Sequence, residues 1–160
     1  MELIKQTQEA WKAAKKDAEK QCEQAQDFDM ARKLAACRMF SGEETLEEMI
    51  NLMFTPRGAE FLTRYRFPSL DIFRKYKPFN PEQYGVYIDC GEINLSEVRR
   101  AFLVGKTSAR ITFRDVARNQ VILMHGASAQ IIVGGHSVVH VENDGSGSLS
   151  FIKRENGIVI

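Results

Sequence analysis

The spacing of apolar residues changes near the middle of the chain. As far as about Tyr76 they recur every three or four residues, which is typical of amphipathic helices. From Val86 to Ile160 they come in short groups of β-favouring residues, separated by segments rich in glycine, serine and asparagine. The pattern therefore predicts an α+β protein in which N-terminal helices precede C-terminal strands.

The helical part is predicted to contain about four or five helices. Its clearest amphipathic segment is Leu46–Met53, and Ser41 with Glu44 three residues later has the pattern of a capping box that opens this helix. Thr55 followed by Pro56 marks the start of another helix, because proline suits the first helical position.

The first helix, predicted over residues 2–26, has a narrow apolar stripe of mostly small side chains around Trp11. Such a stripe buries little area against the rest of the chain. We therefore expect this helix to be the weakest element or to be completed by a partner chain, which makes Trp11 a candidate self-association residue.

The strand part has a nearly constant interval. Candidate inward-facing residues at positions 111, 121, 131, 139, 149 and 158 are 8 to 10 residues apart, and each group is too short to bury its side chains alone. We predict a short β-solenoid over 81–160 that forms one compact unit with a helical region over 1–80. The alternative is an antiparallel β-meander or small sandwich, favoured by Asn156-Gly157, which is typical of a two-residue hairpin.

The last predicted strand consists of Ile158, Val159 and Ile160, with no polar cap after it. An uncovered solenoid end presents unpaired N–H and C=O groups together with bare apolar side chains. These three residues are therefore predicted to mediate association with a second copy or with another protein.

Composition limits the partners and the compartment. The chain of 160 residues has 22 basic and 21 acidic residues, so no overall field attracts nucleic acid or anionic lipid. Its three cysteines show no CxxC spacing, which favours free thiols in a reducing compartment. With no signal peptide and no long apolar run, we expect a cytoplasmic protein that does not contact a membrane.

No motif predicts a catalytic residue, a cofactor or a metal. Gly105-Lys106-Thr107 resembles the end of a phosphate-binding loop, but Arg100 stands where that loop has glycine. His136 and His140 would lie ~13 Å apart on an extended chain, too far to share one ion. Cys90 is expected to be a small buried thiol. An enzymatic or sugar-binding role on the side of the solenoid is the least favoured hypothesis, with these candidates: Asp89, Glu92, Asp115 and the histidines.

Residues 57–79 suggest a different function. Basic and aromatic side chains alternate there, and a single-stranded nucleic-acid site needs both, for phosphates and for bases. The more favoured interpretation is that the aromatic residues pack as a helical face while the basic groups reach solvent. The candidate binding residues under the nucleic-acid alternative are Arg64, Tyr65, Arg66, Arg74, Lys75 and Tyr76.

Residues 84–93, 101–105 and 124–128 together resemble an uncharacterised family of small bacterial proteins in which short helices precede strand repeats. The resemblance implies the same organisation and no assigned activity. The repeats are also similar in style to bactofilins, bacterial proteins whose small β-helices polymerise end to end. The favoured function is a non-enzymatic scaffold or protein-interaction module that self-associates.

Overall fold

The structure, a computed structural model, describes all residues from Met1 to Ile160. The chain forms two compact units, Met1–Pro68 and Ser69–Ile160. The predicted class is confirmed, because helices come first and a parallel β-solenoid of about four turns follows.

Five α-helices precede the strands. They are α1 (Glu2–Gln24), α2 (Phe28–Ala36), α3 (Leu46–Met53), α4 (Pro56–Tyr65) and α5 (Leu70–Tyr76), with two short 3-10 turns at Lys77–Phe79 and Pro81–Tyr84.

The capping box of α3 lies four residues later than predicted. Thr45 and Glu48 exchange the two reciprocal hydrogen bonds of a capping box, and the helix begins at Leu46. The Glu44 carboxylate instead accepts hydrogen bonds from the backbone and hydroxyl of Ser41 and from the backbone of Gly42. The two consecutive Ser/Thr-x-x-Glu patterns look alike in sequence, but only the second stands directly before the apolar helix.

Aromatic side chains fill the centre of the first unit. Trp11 meets Phe40 edge to face, with ring centroids 5.6 Å apart, and Phe40 lies 6.3 Å from Phe67. Trp11 is only 2% exposed, and its indole Nε1 has no hydrogen-bond partner. The side chain at the middle of the α1 stripe is thus a core residue of this unit.

Nine strands follow in the second unit. They are β1 (Val86–Ile88), β2 (Gly91–Ser96), β3 (Arg100–Val104), β4 (Thr107–Phe113), β5 (Arg118–Met124), β6 (Ser128–Val133), β7 (Val138–Asn143), β8 (Leu149–Lys153) and β9 (Ile158–Val159).

The odd-numbered strands form one sheet, which we call sheet A, and the even-numbered strands form a second, sheet B. All neighbours are parallel. After the first turn the register shift is constant, as in Ala109↔Ala129↔Leu149, so residues 20 apart occupy equivalent positions. The ten-residue interval in the sequence is therefore half a turn, since successive groups alternate between the two sheets.

The meander alternative is wrong, because no strand pairs antiparallel with its neighbour in sequence. Asn156-Gly157 forms a corner that takes the chain from β8 in sheet B to β9 in sheet A. A Cβ atom at Gly157 would collide with the Val133 carbonyl oxygen, so the glycine is required by a close approach to the preceding turn.

Strand β2 was not predicted from the sequence. Only Ile93 and Leu95 alternate with polar residues there, and both are half-buried. Its pairing with β4 along six residues shows that partner contacts, more than local apolar content, make this segment a strand.

The inward side chains stack in columns through the solenoid. Ile111, Ile131 and Val121 are fully buried, as are Phe113 and Val133. Each is shielded by the equivalent side chain of the next turn, because no single strand of this length encloses an apolar residue.

We predict that Phe113→Ala lowers the free energy of unfolding by about 3 to 5 kcal/mol, because it leaves a cavity between two turns. Chemical denaturation followed by circular dichroism measures this loss. The control is Val116→Ala, since Val116 is 83% exposed. Equal stability of the two variants would contradict the stacked core.

Candidate interaction surfaces

The last turn of the solenoid has an outer edge that no strand of the described chain pairs with. Strand β8 ends the order of sheet B, and β9 ends the order of sheet A. We call these two outer edges together the terminal edge. On each of these edges, the main-chain N–H and C=O groups on the outer side of the strand have no neighbouring strand to bond.

Hydrogen bonds identify which main-chain groups of β8 face outward. The carbonyl of Ser148 accepts from the Ala129 N–H, and the Arg154 N–H donates to the Val133 carbonyl. Residues of a strand direct these groups to alternate sides, so the even-numbered residues of β8 bond to β6. The N–H and C=O groups of Leu149, Phe151 and Lys153 therefore point away from the sheet.

The terminal edge also leaves apolar side chains uncovered. Phe151 continues the column of Ile111 and Ile131, yet it is 39% exposed because no further turn covers it. Ile158 and Ile160 are 49% and 54% exposed.

The predicted association residues pair with their own chain. The Ile158 and Ile160 N–H groups donate to the carbonyls of Ser137 and Val139 on the preceding turn. Val159 is half-buried and continues the inward column of Val139. Ile158 and Ile160, which alternate with it, therefore lie on the outer face of sheet A.

The second surface is an open groove of about 350 Å³ on the outer face of sheet B. It crosses all four strands of the sheet, and we call it the polar groove. Two columns of polar side chains line it, because residues in register share a face. One column is Glu92, Ser108, Ser128 and Ser148, and the other is Asn94, Arg110, Gln130 and Ser150, with Ile93, Ala109 and Ala129 also contributing to the lining.

The polar groove joins residues that the sequence analysis did not connect. Glu92 was a candidate together with Asp89, Asp115 and the histidines, whereas Arg110 was not among the candidates. The signal in the sequence is the polar residue that recurs every 20 positions, as in Ser108, Ser128 and Ser148. It becomes visible only once the register of the turns is known.

The basic and aromatic side chains of residues 57–79, the basic-aromatic segment, differ in their partners and in their exposure. Arg64 lies over the ring of Tyr65, 5.5 Å from its centroid. Arg74 is bound to Asp89, and Tyr76 is only 3% exposed. Lys75 and Arg66 are exposed. No observation favours the nucleic-acid alternative, which stays a prediction.

Asp89 is the centre of a polar cluster at the corner between β1 and β2. Its carboxylate accepts hydrogen bonds from Arg74 Nε at 2.7 Å and from the Lys106 backbone at 2.8 Å, while its carbonyl accepts from Lys77 Nζ at 2.8 Å. The hydrogen bond from Arg74 is the main cause that lowers the pKa of Asp89. These bonds attach α5 to the first turn of the solenoid.

Cys90 follows Asp89, and its thiol contacts the Glu82 carboxylate. Burial is the first cause that raises the pKa of its thiol, and a contact of 3.6 Å with the Glu82 carboxylate raises it further. A raised pKa disfavours the thiolate, which is the reactive form.

The histidines lie apart from one another. His125 contacts the ring of Phe73, with centroids 5.7 Å apart, His136 lies near Asn156, and His140 pairs with Glu142. No group of three or more histidine, cysteine or carboxylate side chains is arranged to hold a metal ion. None of the helices is long and apolar enough to cross a membrane.

Comparison with protein-family models, with curated proteins and with solved structures finds no match to this chain. The resemblance to small bacterial strand-repeat proteins therefore stays a prediction.

We predict that Asp89→Asn lowers the free energy of unfolding at pH 7 by about 1 kcal/mol, since the charged hydrogen bond is lost but Arg74 is largely solvated. Because folding lowers the pKa of Asp89, its contribution is present above the ordinary aspartate pKa of about 4 and is lost as the pH falls through the lowered value. The difference in the free energy of unfolding between Asp89→Asn and the parent protein should therefore shrink as the pH falls. Urea titrations across pH 2 to 7 measure this difference.

The matched control is Asp17→Asn on the exposed surface of α1. It should leave both the stability at pH 7 and its dependence on acid unchanged. A deficit of Asp89→Asn that persisted undiminished at the lowest pH would contradict the role of the carboxylate charge.

Proposed function

We propose that this protein is a non-enzymatic scaffold or interaction module that self-associates through the terminal edge. The observation that supports this proposal is the unpaired outer side of β8, where three N–H and C=O pairs stand beside Phe151. An edge of this kind is a template on which another strand can form a ladder.

Side chains at the same edge give such a contact an apolar component. Phe151 is 39% exposed although its column is otherwise fully buried at Ile111 and Ile131. A strand laid on β8 would cover this ring in the same way that β8 covers Ile131. Burial of the Phe151 ring therefore gives the largest favourable free energy of association, and the main-chain hydrogen bonds add to it.

Lys153 limits the strength of this contact. It occupies the position that Phe113 and Val133 hold in the preceding turns, so it places a charge at the end of an apolar column. An inward-pointing lysine at an edge strand opposes indefinite pairing. We accordingly expect a weak, concentration-dependent association centred on Leu149 and Phe151.

The proposal predicts that the chain of residues 1–160 associates reversibly in sedimentation equilibrium over a micromolar concentration series. Both Phe151→Ala and Phe151→Pro remove the ring, and both should raise the dissociation constant above that of the parent chain. The increase for Phe151→Pro should be the larger, about tenfold or more over the parent chain, because only proline also removes the outward N–H. That N–H makes no bond to β6, so the fold should persist, as a thermal melt by circular dichroism checks.

A second variant tests whether association can be strengthened. Lys153→Val should tighten association, since it restores an apolar residue to the end of the column. A parent chain that stays monomeric at the highest concentration, together with an unchanged mass for Lys153→Val, would overturn the proposal.

A further inference from the structure

Several polar side chains of the polar groove have no partner within the chain. Arg110, Asn94 and Gln130 form neither a hydrogen bond nor an ion pair, although Gln130 is half-buried. In contrast, Arg74 and Arg114 on the same unit are paired with Asp89 and Glu155. The middle of the groove therefore presents an unpaired guanidinium with an amide on each side of it.

The floor of the groove determines how a ligand is recognised. Backbone groups of the inner strands β4 and β6 are used in the ladder on both sides, so a ligand meets side chains alone. The lining contains no aromatic ring on which a base could stack. Its apolar members are Ile93, Ala109 and Ala129, which offer no deep pocket for a peptide side chain. Serine hydroxyls and amides, which both donate and accept, complement a ligand rich in hydroxyl groups.

The charges of the groove select one anionic group. Arg110 is the only cation in the lining and Glu92 the only anion, so the groove has no net charge that would favour a polyphosphate. The planar guanidinium matches a carboxylate through two parallel hydrogen bonds. Glu92, on the neighbouring strand β2, disfavours a second carboxylate at that end.

The length of the groove indicates a chain ligand. Four neighbouring strands at a spacing of about 4.8 Å place the outer strands β2 and β8 about 14 Å apart, which is about the length of three pyranose rings. A ligand lying across the strands would meet one polar residue of each column on every strand.

We propose that the polar groove binds a short linear oligosaccharide that carries a carboxylate, with Arg110 binding the carboxylate and the serine and amide columns binding ring hydroxyls. This inference is independent of the proposed self-association, because the groove lies on the outer face of sheet B while association uses its edge.

Isothermal titration calorimetry of the full chain with a mono-acidic galactotriose, in which only the non-reducing terminal ring is a galacturonic acid, tests the proposal. We expect millimolar or tighter binding that weakens with added salt, and a loss of about tenfold or more in Arg110→Gln. The matched control is Arg118→Gln, because Arg118 is an exposed arginine on sheet A, outside the groove. Its affinity should equal that of the parent chain, and neither variant should change the sedimentation behaviour.

Two further ligands make the result decisive. Neutral galactotriose should bind more weakly than the acidic trisaccharide, and triglutamate should bind more weakly as well, since it lacks hydroxyl groups. Equal binding of the two sugars with no effect of Arg110→Gln would overturn the role of the carboxylate. Equal or tighter binding of triglutamate would overturn the assignment to a glycan. Absence of any heat with the mono-acidic trisaccharide, confirmed by unchanged amide NMR shifts, would overturn the site.

Discussion

The stacking of one solenoid turn on the next is the interaction on which the second unit depends. A strand of five to seven residues, as β4 to β8 are, cannot enclose its apolar side chains. Ile111 and Ile131 are fully buried because equivalent residues lie above and below them, whereas Phe151 in the same column is 39% exposed at the last turn. A neighbouring turn buries the apolar side chains of the core, and the lack of one leaves those at the terminal edge exposed.

The outer faces of the two sheets differ in polarity and in burial. On sheet A the outward residues Phe102, Ile122 and Met124 are fully buried, and Phe73 of α5 packs on Phe102. On sheet B the outward columns are polar and line the groove. A ligand site along the strands could therefore form only on sheet B. The cluster around Asp89 supports this arrangement, because it attaches α5 to the first turn.

Much of the fold could be predicted from local patterns, and the failures are informative. The regular apolar interval predicted a solenoid, and the helix that begins after Thr55 stands where expected. The strand β2 was missed because its inward face holds only Ile93 and Leu95. Asn156-Gly157 was misleading, because a pair that permits a tight hairpin also permits a corner, and the partner strand decides between them.

The sequence by itself determined where strands alternate with corners, since β-favouring residues and small turn residues act locally. It also pointed to Ile158–Ile160, although these residues bond to the preceding turn. Only the tertiary structure decided which residues face one another, because a register shift of 20 residues is set by stacking and not by neighbours in the chain. Shifts of 16 residues in the first turn and 20 in the next bring Arg110 between Asn94 and Gln130, and the end of sheet B at β8 leaves the outward N–H of Phe151 without a strand to bond.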